Sequence, residues 1–333
     1  MNSLEYLKEL LEPYEPQVPL TELADQLNRF FHAREAAVYD KQHPEIFDQL
    51  GPVWRQMLEV GLPKVESSES GGLKILDFGC GTGFEAKMLL DSDSERRVGE
   101  LVCYDLSPEM VERCRQTLGE QEIPLRFLSD FDELMKEQTP FDVLVTNALL
   151  HHLPDPLGTI ESLAPVLKQD AVWLAGHEPS SRFYKNDSCH EVFDDYQRQH
   201  KFDRMFSLAR YIGALRRILN PDNDPAEGAA RAAYEAGLVK KHLTRGVVYS
   251  LVDFHVPNSP EEAHAGRGLD FAEMANDSRG HWDLVWKTSY NFMGPVMEDD
   301  LSKRWQSKCR ILKERFPDDG ASFCAVWSRA TAP

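Results

Sequence analysis

The sequence predicts an α/β fold built on a doubly wound, mostly parallel sheet, and a few observations carry that prediction. Residues 73–90, LKILDFGCGTGFEAKMLL, pass from a short apolar run through a glycine-rich turn directly into an amphipathic segment. From 73 to 179 strand-like and helix-like runs then alternate, an order that implies parallel neighbours joined by right-handed crossovers. Asp77, Asp105, Asp130 and Asn147 close or follow successive strand-like runs, where open sheets of this kind bind their ligands.

The chain opens with helices. Leu4, Leu7, Leu10 and Leu11 share one helical face, Pro13, Pro16 and Pro19 interrupt it, and Leu20, Leu23, Ala24, Leu27, Phe30 and Phe31 restart it. A third face, Ile46, Phe47, Leu50, Val53, Trp54, Met57 and Leu58, contains Gly51-Pro52, expected to kink or split the helix. Residues 1–60 therefore read as an N-terminal helical extension and 61–72, GLPKVESSESGG, as a polar linker.

Leu73, Ile75, Leu76 and Phe78 suit a strand covered on both faces, with Asp77 near its end. Gly79, Gly81 and Gly83 alternate with Cys80 and Thr82, so the backbone turns sharply and leaves room for a ligand. The third glycine comes one residue too early for the dinucleotide pattern G-x-G-x-x-G, which disfavours a nicotinamide dehydrogenase. A second strand, 101–104, ends in Asp105, placed either to accept from a ribose diol or as an ordinary strand-end acid. Ser107-Pro108 caps and starts the next helix. A third strand, 124–128, leads to Asp130, which has the position of a cap for a helix over 131–137. The fourth, 141–146, ends at Asn147 and runs into ALLHHLPDP, bringing His151 and His152 to the ligand end of the sheet. A helix over 156–168 and a fifth strand over 171–175 lead to Gly176-His177-Glu178-Pro179. His177 and Glu178 there read either as an acid–base pair or as a hydrogen-bonded tie for the long segment after Pro179.

Residues 180–280 are too long for a simple crossover and read as a mostly helical insertion covering the substrate. Its faces include Met205, Ala209, Ile212, Leu215 and Leu219, then the alanine-rich 226–236; 246–257 suits strand or helix. Residues 281–333 complete the core sheet: after a helix over 269–278 come strand six at 283–290, a helix through Leu301, Trp305, Leu312 and Phe316, and a seventh, antiparallel edge strand at 323–328.

The G-x-G-x-G turn with Asp77 two residues before it resembles motif I of the class I S-adenosylmethionine-dependent methyltransferases. The ALLHHLPDP segment resembles the stretch after strand four in small-molecule enzymes related to the ubiquinone and menaquinone C-methyltransferases. The resemblance runs from 73 to 179 and implies a Rossmann-like sheet of seven strands. It also implies S-adenosylmethionine as cofactor, with S-adenosylhomocysteine as product. It assigns Asp77, Gly79, Gly81 and Gly83 to the methionine portion, Asp105 with Leu106 to the ribose, Asp130 with Phe131 to the adenine, and Asn147 to the neighbourhood of the methyl group. Tyr39 resembles a lid tyrosine that closes over the carboxylate or sulfonium end, although it also suits the end of an amphipathic helix. Of the two histidines, His152 holds the family's more regular position, ahead of His151. The charges agree, since an ammonium and a sulfonium suit a carboxylate such as Asp77.

Composition narrows the acceptor. The formal net charge of −18 repels phosphate backbones and anionic membranes, so a small molecule is expected rather than nucleic acid or a lipid surface. The start lacks the basic region of a signal peptide, and no apolar run approaches the roughly 20 residues that span a bilayer. The six cysteines lack paired metal-ligand spacing and suit reduced thiols in the cytoplasm. Cys189-His190-Glu191 with Asp194 and Asp195 suits a solvated helix face better than a metal site, and no metal is expected. Methyl transfer from a sulfonium is mostly a matter of positioning, and a base is needed only where the acceptor must lose a proton. His152, His151, His177 and Glu178 are the candidates for that role, with His255 and Tyr290 behind them. The pattern leaves open whether the acceptor atom is O, N or C. It leaves open, too, a cofactor-supported cyclisation, elimination or rearrangement, and a non-catalytic partner that has kept the fold. Oligomeric state is not encoded in any motif here.

Overall fold

The computed structural model describes residues 3–36, 50–65, 72–93, 97–205, 224–257, 259–264, 266–278, 281–296, 298 and 301–330. The chain forms two compact units. One gathers Met1–Glu35, Pro179–Gly268 and Ser289–Ser322; the other gathers Ala36–Glu178, Leu269–Thr288 and Phe323–Pro333.

The strands are β1 (Leu73–Phe78), β2 (Val98–Tyr104), β3 (Leu125–Leu128), β4 (Phe141–Asn147), β5 (Leu167–Pro179), β6 (Trp282–Tyr290), β7 (Phe292–Pro295) and β8 (Ser322–Arg329). Seven of them form one mixed sheet in the order β3-β2-β1-β4-β5-β8-β6, parallel through its first five members and antiparallel at its last strands. This is the doubly wound arrangement the alternation predicts. The strand order reverses between β1 and β4, which pair in register from Ile75↔Val143 to Asp77↔Val145, and a crevice at such a reversal is where ligands bind. All of β1 is buried, as expected for a strand covered on both faces.

The sheet core is apolar and aromatic. Phe78 and Tyr104 stack at 5.0 Å, and Trp173 stacks on Trp327 at 4.5 Å, contacts that add specificity to plain area burial. The capping residues read from the sequence are in place: the Ser107 hydroxyl accepts from the Met110 N–H at 3.3 Å ahead of Pro108.

Several elements differ from the sequence reading. The helix expected over 156–168 ends at Ser162; Ala164–Val166 is a single 3₁₀ turn and β5 already begins at Leu167. Pro165 is the physical reason, because it lacks an N–H and its ring clashes with a continuing α-helix. Gly51-Pro52 stands at the start of the helix Gly51–Gly61, with proline in the first turn, where its missing donor is harmless; residues 37–49, on which the expected kink also depends, lie outside the described residues. The described part of the expected linker is ordered: Gly61 ends that helix, Leu62–Lys64 is a 3₁₀ turn, and Leu62 and Val65 are buried. Residues 66–71 lie outside the described residues. The helix placed over 131–137 is only Phe131–Leu134. Within 246–257 the helix is realised, as Arg245–Val252. The last strand, expected at the sheet edge, lies between β5 and β6, and its residues from Ser322 to Trp327 are all buried. The edge is β6, half-exposed along most of its length as an edge strand permits.

The unit containing residues 179–268 is mostly helical among its described residues. Helices Ser3–Leu11, Leu20–Glu35, Pro225–Glu235 and Arg245–Val252 share one core, in which Ala226, Ala229, Ala230 and Ala233 present a small-residue face. A second core joins Phe183, Cys189 and Phe193 to Trp305, Cys309 and Leu312. Cys189 is thus turned inward, while His190 pairs with Asp194 at 3.5 Å and Asp195 with Arg198 at 2.7 Å, so this helix carries surface ion pairs as expected. Residues 209–219 of the proposed insertion faces lie outside the described residues.

Candidate functional site

Everything described in this site belongs to the unit that carries β1, β2 and β4. The turn after β1 is held open by hydrogen bonds to the neighbouring strand end: Gly79 N–H and Cys80 N–H both donate to the Tyr104 carbonyl, at 2.7 and 2.9 Å. Gly81 N–H donates to Asp105 Oδ2 at 3.0 Å, and Ser107 N–H donates to Asp105 Oδ1 at 2.8 Å. Asp105 therefore ties the end of β2 to the glycine turn, where the resemblance places it against a ribose. Two glycines serve different needs. At Gly83, φ is +90° and a Cβ would lie 3.0 Å from Cys114 Sγ and 3.3 Å from Cys114 Cα, so the turn and helix Pro108–Leu118 pack as closely as a missing side chain allows. At Gly81, φ is +47° and a Cβ would meet nothing within 4 Å; the backbone here faces open space, as a ligand-binding turn requires.

Asp77 is the anomaly of the site. It is almost completely buried, and neither of its carboxylate oxygens has a hydrogen-bond partner, although buried polar groups are nearly always paired. Burial, then the neighbouring Cys114 and Asp105, hold its pKa well above the usual carboxylate range. Glu85, in the first turn of helix Phe84–Ser92, is buried as well and is raised by burial and by Asp77. Two buried acids thus lie near one another, and among the described residues neither oxygen of Asp77 has a hydrogen-bond partner. Such an arrangement is costly unless a ligand supplies positive charge. An ammonium and a sulfonium would do so, and the residues present fit S-adenosylmethionine.

The thiols of Cys80, Cys103 and Cys114 converge under the same turn, although the sequence scatters them. Hydrogen bonds from Cys103 and Cys80 pull the Cys114 thiol down to about 5, while Cys80 is pushed up by burial and by its two thiol neighbours. All six cysteines of the chain are free and buried.

At the adenine end, Asp130 Oδ1 accepts from Asp132 N–H at 2.8 Å and Glu133 N–H at 3.4 Å, so the capping role is realised. Phe131 sets its edge against Phe78 and Tyr104, at 6.4 and 6.1 Å between ring centres. Leu106 is half-buried beside Asp105.

Asn147 ends β4. Its Oδ1 accepts from the indole N–H of the buried Trp54 at 3.0 Å. After it the backbone is strained: Ala148 has φ of +48°, and its N–H donates to the Gly176 carbonyl at 2.8 Å. A second left-handed residue, His177 with φ of +52°, sits near the end of β5 and donates its N–H to Cys324 Sγ at 3.4 Å. Non-glycine residues in this region carry strain of order 1 kcal/mol and gather at functional sites.

Between these strand ends lies Glu178, fully buried. Leu149 N–H and Leu150 N–H donate to its Oε1 at 2.9 Å each, and His151 contributes its backbone N–H (3.3 Å) and Nδ1 (2.9 Å) to Oε2. Three backbone N–H groups and the His151 ring thus converge on Glu178. In the tautomer whose Nδ1–H donates to this carboxylate, the basic lone pair of a neutral His151 ring lies at Nε2. The His152 ring lies 4.0 Å from that of His151, tilted by 44°. The structure thus brings His151, His152 and Glu178 together and makes Glu178 the anchor of the loop after β4. Tyr39 lies outside the described residues.

Sequence reasoning missed Glu85 and Trp54. An acid in a first helical turn ordinarily complements the helix dipole, which hides the burial of Glu85. Trp54 sits on an amphipathic face with Met57 and Leu58, and only the partner of its N–H distinguishes it. No helix among the described residues is long and apolar enough to cross a membrane.

Residues 76–173 match a family described as a methyltransferase domain. Over 198 residues the chain is 28% identical to malonyl-[acyl-carrier protein] O-methyltransferase of Acetivibrio thermocellus, covering 59% of this chain and 65% of that protein. Over 99 residues it is 31% identical to ubiquinone biosynthesis O-methyltransferase of Xylella fastidiosa, covering 29% of this chain and 38% of that protein. The chain thus spans at most 65% of the length of these curated relatives. Among solved structures, the plantazolicin methyltransferase BpumL in complex with SAH aligns with a TM-score of 0.45 at 13% identity, covering 98% of this chain and 99% of that one.

Proposed function

We propose that the chain is an S-adenosylmethionine-dependent methyltransferase acting on the oxygen of a small-molecule acceptor, a reading supported by the match of residues 76–173 to a methyltransferase domain. The observation that carries the reading is Asp77, a buried and unpartnered acid beneath the glycine turn. It supplies the negative charge that an ammonium and a sulfonium need, and among the described residues its oxygens have no hydrogen-bond partner.

When bound, S-adenosylmethionine supplies an activated methyl group on a cationic sulfur. Asp77 and the backbone of Gly79, Gly81 and Gly83 hold the methionine portion. Asp105, with Leu106 beside it, receives the ribose hydroxyls, and Asp130 and Phe131 flank the adenine, Phe131 with a ring face and Asp130 with the oxygen its capping bonds leave over. Asn147 closes the methionine end from β4.

His151 is the general base. The Glu178 carboxylate holds its Nδ1–H, orients the ring and stabilises the imidazolium that forms when Nε2 takes a proton from an acceptor hydroxyl. This favours His151 over His152 and makes Glu178 a positioning residue. His177 has no assigned proton-transfer role, and its strained backbone shapes the end of β5. The relatives' names specify O-methylation, which suits a base that deprotonates a hydroxyl. The net charge of −18 supports a small molecule over nucleic acid or a membrane, and six free cysteines support a reducing, cytoplasmic setting.

The test is incubation of the purified chain with methyl-labelled S-adenosylmethionine and a panel of phenols, carboxylic acids and amines, read by mass spectrometry. A labelled O-methyl product is expected. Turnover of an acceptor without gain of a methyl mass would replace transfer with a cofactor-supported rearrangement or elimination, and no binding of S-adenosylhomocysteine would overturn the reading.

A further inference from the structure

The carboxamide of Asn147 has two poles, and the structure determines which one the protein uses. The Trp54 indole N–H is a donor and nothing else, so the oxygen of the amide must face it, as the 3.0 Å contact to Oδ1 shows. Trp54 cannot shift to accommodate the opposite orientation. It is wholly buried, and its ring meets Phe84, the first residue of the helix after the glycine turn, edge-on at 6.4 Å and 85°. Gly176, the β5 partner of Asn147, closes the other side: a Cβ there would lie 2.6 Å from Trp54 Cζ2 and 2.7 Å from Asn147 Oδ1. The indole, the glycine and the amide thus form one packed unit in which the amide cannot turn over. The Nδ2 pole has no hydrogen bond to the protein among the described residues, and Asn147 as a whole is only half-buried.

The β1–β4 register carries this further. Asp77 is opposite Val145, so Asn147 stands one pleat beyond Asp77 on the adjacent strand. One strand end therefore offers an unanswered anion and its neighbour an unanswered N–H donor. A zwitterionic α-amino acid requires this pair, an acid for its ammonium and a neutral donor for its carboxylate.

We propose that Trp54 is a positioning residue that locks the Asn147 amide with its N–H pole toward the carboxylate of the cofactor's amino-acid end. The inference rests on the cofactor reading above and adds to it a specific source of selectivity for the amino-acid tail. A free carboxamide would present its oxygen to a carboxylate half the time and repel it. Locked by the indole, it always donates.

The experiment compares two probes that share adenosine and sulfur but differ in the tail. S-adenosylhomocysteine has the amino-acid end, and methylthioadenosine lacks it. Each is titrated calorimetrically into the parent, Asn147→Asp and Trp54→Phe. Asn147→Asp preserves the volume and still accepts from Trp54, yet offers a carboxylate an anion in place of a donor. It is expected to weaken S-adenosylhomocysteine by about 10- to 100-fold, the value of one hydrogen bond to a charged group. Trp54→Phe keeps most of the packing, frees the amide and is expected to weaken the same ligand about three- to tenfold. Both variants are expected to bind methylthioadenosine as the parent does. Equal losses for both probes in Trp54→Phe would make Trp54 a packing residue only and overturn the proposal. Unchanged S-adenosylhomocysteine affinity in Asn147→Asp would overturn it as well, while leaving the cofactor reading intact. A parent that binds neither probe would overturn both.

Discussion

Replacing Asp77 by Asn isolates the charge at the centre of the site while keeping its shape. In the unliganded protein the carboxyl group is buried and unpaired, with its pKa raised by burial and by the neighbouring Cys114 and Asp105. At neutral pH the substitution therefore removes a penalty, and the variant is expected to be more stable than the parent. The pH dependence fixes the sign. Because the native state holds this proton more tightly than the unfolded chain, the group's contribution is fully favourable below the unfolded value of about 4 and is lost as pH rises through the raised native value. The stability advantage of Asp77→Asn should accordingly be small near pH 4 and grow toward pH 8. Ligand affinity moves the opposite way. A carboxylate about 5 Å from an ammonium, at an effective permittivity of about 20, contributes about 3 kcal/mol, so the variant should bind S-adenosylhomocysteine about two hundredfold more weakly. Urea unfolding across that pH range and calorimetric titration at pH 7.5 measure the two effects. A variant that is less stable than the parent at neutral pH, or that binds as tightly, would refute the assignment of Asp77 as an unanswered anion awaiting a cation.

The same geometry sets the outcome of three further substitutions. His151→Ala should lower kcat by about 10²- to 10⁴-fold with cofactor affinity retained, whereas His152→Ala should have a much smaller effect; single-turnover methyl transfer distinguishes them. Glu178→Gln leaves the loop N–H groups an acceptor but removes the anion that supports the imidazolium, so kcat should fall about a hundredfold and the rate should not recover with higher cofactor concentration. Gly83→Ala places a Cβ 3.0 Å from Cys114 Sγ at φ of +90°; unfolding should show a loss of about 1–3 kcal/mol, and a loss below about 0.5 kcal/mol would mean that helix Pro108–Leu118 moves away at little cost.

How far the sequence reached differs from one residue to the next. Asp77, Gly79, Gly81, Gly83 and Asp105 were legible because they lie in or beside a local motif whose spacing alone implies a turn between a strand and a helix. Asp130 was legible in both of its readings, and the structure realises the cap. Residues 246–257 stayed ambiguous because a short apolar run suits a strand or a buried helix equally. The helix over 156–168 was overextended because the apolar period continues past Ser162 while Pro165 stops the backbone.

By itself the sequence determined the alternating strands and helices, the glycine turn and the acid beneath it, because these depend on residue spacing and on the few backbone conformations that glycine and proline impose. Only the tertiary structure decided what those residues face. The Trp54 contact to Asn147 spans 93 positions and the Glu178 contact to His151 spans 27, so no local period encodes either. Burial turned Asp77 from one acid among many into an unpaired one, and placed Glu85 and three thiols beside it. Burial is a property of the packed whole, and the chemistry of this site depends on it.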